Sequence, residues 1–116
     1  MIGVINYGSG NFRSVCNALD FLKVNYIELN SADQYEVVDK IILPGVGTYG
    51  DCVNRLIQKN LLISLKEQIL IKQKYFLGIC VGMQVLSEFG FEFEKYSGMG
   101  LIKGNVKKFE KQNNNL

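Results

Sequence analysis

Three short strand-like runs, each followed by a glycine-rich turn and then by apolar residues at helical spacing, constrain the fold of this chain most. The runs cover Ile2–Ile5, Lys40–Leu43 and residues 75–79, and a fourth lies at residues 25–29. Runs of this length are typical of strands, and strands that alternate with helices favour a parallel sheet with right-handed crossovers. We therefore expect an α/β fold with a doubly wound, mainly parallel sheet whose two faces are both covered by helices.

Apolar residues three and four positions apart predict the helices between these strands. The first stripe consists of Phe12, Val15, Cys16, Leu19 and Leu22. Asn11 stands before this stripe as the expected N-cap. A second stripe covers residues 52–69 with a break near Asn60, and a third covers residues 81–89. The sequence thus predicts three helical segments, the second of them interrupted.

The last part of the chain is punctuated by glycines after residue 90, and these glycines predict short strands. Residues 111–116 are polar and predict a loop. No repeat or linker divides the sequence, so we expect residues 1–116 to belong to a single domain.

Composition argues against several classes of function. Thirteen Lys and Arg residues against eleven Asp and Glu give a net charge of +2, which is too even to favour nucleic acid or a membrane surface as the partner. No basic leader precedes Ile2 and no long apolar stretch follows, so we expect a cytoplasmic protein. The three cysteines are far apart and lack a Cys-x-x-Cys pair, which predicts reduced thiols and no metal site.

Cys80 lies in the sequence Gly-Ile-Cys-Val-Gly, the pattern of a nucleophile elbow in which a strand turns sharply into a helix. The flanking glycines leave room for close backbone approach, and a position at the start of a helix favours the thiolate. The amide of Val81 would face the oxygen that becomes negative when the thiolate attacks a carbonyl. An inert core thiol is the alternative, and it describes Cys16 and Cys52 better because both fall within apolar stripes.

The loops that follow the strands should meet at one edge of the sheet. Parallel strands bring their carboxyl ends to the same edge, so residues 7–11, 44–47 and 80–84 would line one crevice. The Pro-Gly-Val-Gly turn at residues 44–47 can direct a backbone amide toward the oxygen that Val81 faces. A simple turn is the alternative for residues 44–47 taken alone.

The Gly8-Ser9-Gly10 turn after the first strand occupies the place where dinucleotide-binding folds hold phosphates. Position 13 is arginine, so the Gly-x-Gly-x-x-Gly pattern is not satisfied. A nucleotide-binding domain is therefore disfavoured, while contact between this turn and an anion stays open.

The 116 residues contain no histidine, which removes the commonest general base and the commonest metal ligand together. Lysine and carboxylate side chains have ordinary pKa values far from neutrality, and no sequence feature marks one of them as tuned. Any chemistry of Cys80 within these residues therefore lacks an evident base.

Three motifs, in order, resemble the glutaminase subunit of imidazole glycerol phosphate synthase, a class I glutamine amidotransferase. They are Asn-Tyr-Gly-Ser-Gly-Asn-Phe-Arg-Ser at residues 6–14, Leu-Pro-Gly-Val-Gly at residues 43–47 and Phe-Leu-Gly-Ile-Cys-Val-Gly-Met-Gln at residues 76–84. The resemblance continues at residues 98–102 and 104–106, so it covers essentially the whole chain but only somewhat more than half of the family's usual length. It implies the flavodoxin-like sheet of that family, here incomplete at the C-terminus, with residues 1–116 as the N-terminal part of a single glutamine amidotransferase domain.

The resemblance implies a thiol-based glutaminase without cofactor or metal. Cys80 would attack the side-chain amide of glutamine, release ammonia and leave a glutamyl thioester that water hydrolyses. The oxyanion hole would be formed by Val81, Val46 and Gly47. The substrate would be held by Gly45, Gln84 and Glu92. An ordinary solvated carboxylate in an exposed acidic loop is the alternative for Glu92.

The resemblance also implies a protein partner. In the family, ammonia passes through a tunnel to a separate barrel-shaped synthase subunit that makes imidazole glycerol phosphate for histidine biosynthesis, in a heterodimer. The interface residues would be Tyr7, Gly10, Asn11 and Ser14. A paralogous subunit that amidates surface-polysaccharide sugars has much the same motifs and is the alternative. The family often has an acidic residue at the position of Asn6 and a leucine at that of Val81, and neither difference removes a reacting group.

The family's catalytic histidine and glutamate lie near its C-terminus, and the segment that carries them is not found in these residues. We therefore expect negligible glutaminase activity from residues 1–116, and a non-catalytic fragment that only binds glutamine or a partner is the alternative of another class. Without the later strands, a sheet edge would be unpaired and apolar surface bare, which favours self-association or poor solubility.

Overall fold

A computed structural model describes residues 1–110 as a parallel sheet flanked by helices and followed by a small second sheet. The parallel strands are β1 (Ile2–Ile5), β2 (Tyr26–Leu29), β3 (Lys40–Leu43) and β4 (Tyr75–Gly78). Their order across the sheet is β2-β1-β3-β4, and every neighbouring pair is parallel. This is the order of a flavodoxin-like, doubly wound sheet, so the predicted fold class is confirmed. The loop predicted for residues 111–116 lies outside the described residues.

Helices on both sides of the sheet build two buried clusters. The connections are α1 (Phe12–Phe21), α2 (Tyr49–Gln58), α3 (Leu62–Leu70) and a 3₁₀ helix at Ala32–Val37. On the α1 side the cluster consists of Val4, Phe12, Cys16, Leu19 and Ile42. The larger cluster, under α2, α3 and the 3₁₀ helix, includes Tyr35, Leu43, Leu56 and Leu65. Within residues 1–110, no helix is both long enough and apolar enough to cross a membrane.

Strand β4 is an edge strand, and one of its faces is open. Val4, Ile42 and Leu77 are paired across β1, β3 and β4, and the first two contribute to the cluster under α1. Leu77 is 55% exposed and Tyr75, on the same face, is 77% exposed. The expectation that both faces are covered is therefore wrong over β4, because α1 lies over β1. The expected unpaired edge is found among the described strands.

The predicted break in the second helical region is confirmed, and the predicted cap of the first helix is not. The helical region after β3 breaks at Asn60, which has φ 56° between α2 and α3. Helix α1 begins directly after Asn11, but the Asn11 side chain makes no capping bond, so the predicted cap is wrong. Instead the backbone N–H of Asn11 donates to Ser9 Oγ at 3.5 Å, and this bond holds the turn before the helix.

The third predicted helix is much shorter than its apolar stripe. Helix α4 covers only Val81–Gln84, and the chain continues in tight turns to Ser87. Ser87 Oγ donates to the carbonyl of residue 84 at 2.8 Å, which competes with continued helix. The small sheet that follows consists of β5 (Phe89–Gly90), β6 (Tyr96–Ser97) and β7 (Asn105–Val106), in the order β6-β5-β7. Phe89 thus belongs to a strand, and the predicted helix over residues 81–89 is wrong in its second half.

Candidate functional site

Cys80 stands at the bend between β4 and α4 with φ 56° and ψ −118°. Positive φ is uncommon for a residue with a side chain, so the bend is strained in the way that a nucleophile elbow requires. The Cys80 side chain is exposed, whereas Cys16 and Cys52 are buried. The predicted turn is confirmed, and Cys80 is the thiol that a molecule in solution can reach.

The two glycines around Cys80 are required by close backbone contacts. A Cβ on Gly78 would lie 2.5 Å from the Gly82 carbonyl oxygen. A Cβ on Gly82 would collide with the carbonyl oxygen of Leu43 at the end of β3. Both contacts are far inside van der Waals separation, so a larger residue at either position would force the bend open.

The loops after β1 and β3 pack against this bend. A Cβ on Gly45 would collide with the Tyr7 hydroxyl and with Cγ1 of Val81. The Val46 amide donates to Ser9 Oγ at 3.4 Å. The three segments predicted to meet at one sheet edge therefore do so, because β1, β3 and β4 run in the same direction.

Backbone donors border the crevice between the elbow and the β3 loop. In residues 1–110 no hydrogen bond uses the Val81 amide, whereas the next three amides donate to the carbonyls of residues 79 and 80. The bond from Val46 to Ser9 is at the outer limit of hydrogen-bond length and is readily exchanged for a stronger acceptor. Gly47 has φ 104°. A Cβ on Gly47 would have no heavy atom within 4 Å apart from its two chain neighbours, so the loop is uncrowded there.

Gln84 follows Cys80 by one turn of backbone. Its amide donates to the Cys80 carbonyl at 3.1 Å, and its side chain is half-buried. It lines a cavity of about 500 Å³ together with Met83, β7 and residues 107–110. Gln84 is thus placed between the elbow and an open cavity.

Glu92 lies at the start of helix α2. Its Oε1 accepts the Tyr49 amide at 2.7 Å, and the side chain is half-buried. The alternative of an ordinary solvated carboxylate is wrong, because one oxygen is committed to the helix. The predicted substrate-binding residues therefore lie in different parts of the chain. Gly45 follows β3, Gln84 ends α4, and Glu92 lies between β5 and β6 and accepts the first amide of α2.

Tyr7 is a core residue. Its side chain is 3% exposed, and its hydroxyl packs against Gly45. Burial, together with the neighbouring Cys52, raises the pKa of the Tyr7 phenol. Of the residues predicted at the partner interface, Tyr7 therefore has its side chain beneath the loop, against Gly45. Gly10 and Ser14 are exposed and Asn11 is half-buried, so these three remain on the surface side of the loop.

The other candidate groups offer no competing chemistry. Burial raises the pKa of the Cys52 thiol to about 11, so it stays protonated at neutral pH. Among residues 1–110, no three His, Cys, Asp or Glu side chains stand close enough to hold a metal ion. Cys80 is therefore the candidate nucleophile of the described residues.

Sequence reasoning placed Ser9 in the crevice but missed its bond to Val46, and it missed Arg55 as part of this site. Arg55 Nη1 donates to the Gly8 carbonyl at 3.5 Å, and its Nε bonds Asp51 at 3.0 Å. The four-residue spacing from Asp51 to Arg55 indicates a pair on a helix surface. Nothing in the sequence shows that this pair also reaches the loop that holds Ser9.

The chain matches the family model "Glutamine amidotransferase class-I" over residues 3–115. It is 40% identical over 98% of its length to "Imidazole glycerol phosphate synthase subunit HisH 1" of Campylobacter jejuni strain 81-176, covering 57% of that protein. It is 42% identical over 91% of its length to subunit HisH of Caldanaerobacter subterraneus, covering 52% of that protein. The chain thus spans about half the length of the curated relatives it matches.

A solved structure supports the fold. A protein described as "Crystal structure of glutamine amidotransferase" superposes with a TM-score of 0.76, at 19% sequence identity, over 91% of this chain and 55% of that chain. At this level of identity the match establishes the α/β architecture alone.

Proposed function

Because the chain belongs to the class I glutamine amidotransferase family, we propose that it carries the nucleophile of a glutaminase. The Cys80 thiolate attacks the side-chain amide carbon of glutamine and forms the carbon–sulfur bond. The carbon–nitrogen bond breaks, and the amide nitrogen takes up the proton that the thiol gave up and leaves as ammonia. Water then hydrolyses the thioester to glutamate and restores the thiol. The observation that carries this proposal is the exposed Cys80 thiol on a strained bend, with the β3 loop packed against Val81.

Backbone amides stabilise the negative oxygen of the tetrahedral intermediate. The donors are Val81 together with Val46 or Gly47, and the Val46 amide must leave Ser9 Oγ to take part. Gly45, Gln84 and Glu92 hold the substrate around the crevice. Gly45 allows the β3 loop to approach the elbow closely, since a Cβ there would collide with Cγ1 of Val81, and this close approach supports the pairing of donors from the two segments.

The ammonia passes to a synthase subunit of barrel fold that makes imidazole glycerol phosphate in histidine biosynthesis. The two proteins form a cytoplasmic heterodimer, with Gly10, Asn11 and Ser14 on the contact surface. This assignment is supported by the names of the curated relatives, which are subunits of imidazole glycerol phosphate synthase at about 40% identity. The same names favour it over the amidation of surface-polysaccharide sugars.

Residues 1–116 contain no histidine to accept the thiol proton. We therefore expect negligible ammonia release from glutamine by this chain, with or without a synthase subunit. The measurement is an enzyme-coupled ammonia assay, with the Campylobacter jejuni relative as the positive control. Turnover by the 116-residue chain at the relative's rate would contradict this part of the proposal.

Thiol labelling tests the placement of the nucleophile directly. Iodoacetamide should alkylate Cys80 at least about a hundredfold faster than Cys16 or Cys52, because buried thiols react only after local opening. Mass spectrometry of peptides identifies the labelled residue, and Cys80→Ala should remove the fast phase. Equal labelling of all three cysteines in the folded protein would show that Cys80 is not presented as proposed.

A further inference from the structure

The first turn of α2 is held by the segment that follows α4. Gly90 has no room for a side chain because a Cβ there would collide with the Tyr49 ring. A Cβ on Gly50 would likewise collide with the Tyr96 ring. Residues 90–96 and the first two residues of α2 therefore interlock, and neither can shift without the other.

Glu92 makes the one polar contact by which this segment reaches the helix backbone at Tyr49. The amides of a helix's first turn have no acceptor within the helix. Thr48 Oγ1 accepts the Asp51 amide at 3.2 Å, and Glu92 Oε1 accepts the Tyr49 amide at 2.7 Å. The second bond is short and involves a carboxylate at a helix N-terminus, where a negative charge is stabilised.

The β3 loop lies immediately before this anchor. At one end Gly45 is wedged between Tyr7 and Val81, and at the other the chain enters α2 at Tyr49. Between them, Gly47 has positive φ and open space around it, so local packing does not fix the loop there. The position of Val46 and Gly47 thus depends on how firmly the two ends are held.

We propose that Glu92 is a positioning residue for the β3 loop, in addition to any contact it makes with substrate. By holding the Tyr49 amide, it fixes the start of α2 and with it the direction of the Val46 and Gly47 amides. This inference rests on the proposed function, since the loop matters to catalysis only if those amides stabilise an oxyanion at Cys80. One carboxylate oxygen serves the helix, which leaves the other for a substrate ammonium group.

Two substitutions separate positioning from charge. Glu92→Gln keeps a side-chain oxygen that can accept the Tyr49 amide but removes the negative charge. Glu92→Ala removes both. Glu67→Ala is the control for loss of a carboxylate, because Glu67 is exposed on α3 and lies outside residues 90–96 and the start of α2.

Amide hydrogen exchange of the 116-residue chain gives the first readout. In Glu92→Ala the Tyr49 amide should exchange about fivefold faster or more, as expected for loss of a helix cap, while Glu92→Gln and Glu67→Ala stay close to wild type. Unchanged Tyr49 protection in Glu92→Ala, or equal loss in both Glu92 variants, would overturn the proposal.

The rate of Cys80 alkylation distinguishes positioning of the β3 loop amides from a purely structural role of Glu92. A chloroketone analogue of glutamine reacts through a hemithioketal oxyanion before sulfur displaces chloride, whereas iodoacetamide loses iodide directly and forms no oxyanion. Glu92→Ala should lower the maximal chloroketone rate about tenfold and leave the iodoacetamide rate within about twofold. Glu92→Gln should keep the maximal rate and only require more reagent for half-saturation. Equal slowing by both reagents, or no slowing, would overturn the proposal.

The wild-type chain separates this inference from the function on which it rests. If the chloroketone fails to modify Cys80 in wild type while iodoacetamide succeeds, the proposed glutaminase site is wrong. The exchange of the Tyr49 amide then still decides whether Glu92 anchors α2.

Discussion

Cys80 shows how a single residue can carry strain that the surrounding backbone does not relieve. Its φ of 56° and ψ of −118° lie in a region that costs a side-chain-bearing residue on the order of 1–3 kcal/mol. Gly78 and Gly82 bring the backbone of the bend so close to α4 and β3 that no easier path is open. The strain directs the thiol outward, away from the core in which Cys16 and Cys52 lie.

Replacing Cys80 by glycine should therefore stabilise the fold. We expect Cys80→Gly to raise the free energy of unfolding by roughly 1 kcal/mol relative to Cys80→Ala, because alanine keeps the Cβ that makes positive φ unfavourable. Urea denaturation followed by circular dichroism measures the difference. A glycine variant no more stable than the alanine variant would mean that the bend is not strained.

Asp39 gives the molecule a pH-dependent contact at the start of the sheet. Its Oδ1 accepts the Met1 ammonium at 2.7 Å and its Oδ2 accepts Lys40 Nζ at 3.3 Å. These bonds lower the pKa of Asp39 from its ordinary 3.8 to about 2. A carboxyl with a lowered folded pKa stabilises the fold above its ordinary pKa, and this contribution is lost as pH falls.

The stability advantage of wild type over Asp39→Asn should accordingly be constant from about pH 5 to about pH 7 and shrink as pH falls from about 4 to about 2. Because the pair is exposed, added salt should reduce the advantage. Urea midpoints at a series of pH values, with and without 0.5 M or so of NaCl, check both statements. Parallel pH profiles for the two proteins would show that the ion pair is not formed in solution.

At the scale of elements, α1 and α2 end in the same way. In each, the second residue beyond the helix has positive φ, and the backbone amide after it bonds the carbonyl five residues back. This is the Schellman motif, in which glycine is favoured at the position of positive φ, here Lys23 and Asn60, because it has no Cβ. Beyond α3, Gln73 also has positive φ, but there the next amide, that of Lys74, bonds the Gln68 carbonyl six residues back.

Glycine at two of these ends should stabilise the protein. Lys23→Gly and Gln73→Gly should each raise the free energy of unfolding by roughly 0.5–1 kcal/mol, and Asn60→Gly by less, because asparagine tolerates positive φ. Thermal melts compare the three variants. Lys23→Ala is the control and should give no gain, so an alanine variant as stable as the glycine variant would rule out a backbone origin.

The whole molecule is asymmetric about its sheet. One face is covered by α2, α3 and the 3₁₀ helix, whereas α1 alone covers the other and leaves Tyr75 and Leu77 of β4 exposed. Strand β4 also presents an edge that no described strand pairs. Exposed apolar edges of this kind bind other chains through backbone and side chains together.

We expect the 116-residue chain to self-associate through β4. Sedimentation velocity should show a weight-average mass that rises with concentration, and Leu77→Lys should shift the chain toward monomer because a charge on the face opposes pairing. Phe21→Lys is the matched control, since Phe21 is 86% exposed at the far end of α1. A wild-type chain that stays monomeric and melts cooperatively at every concentration would contradict the expectation.

Local pattern was enough for the order of the strands along the chain and for the elbow. Strands β1 and β3 and the break at Asn60 are found where hydrophobic period and turn residues placed them. The Gly-Ile-Cys-Val-Gly sequence identified Cys80 because the tight turn requires glycine on both sides of the nucleophile, and these glycines are visible in the sequence. These strands, the helix break and the elbow are determined by residues close together in the sequence, so a sequence pattern can predict them.

Other features depended on contacts between residues far apart in the chain, and only the tertiary structure decided them. The apolar stripe from Val81 did not reveal that Phe89 pairs with Ser97 and Asn105 in a second sheet. Tyr7 was predicted at a partner interface, and its side chain is buried against Gly45. Glu92 reaches Tyr49 across 43 positions of sequence. Helical spacing is local, whereas burial and capping across elements are set by packing, which a single sequence does not encode position by position.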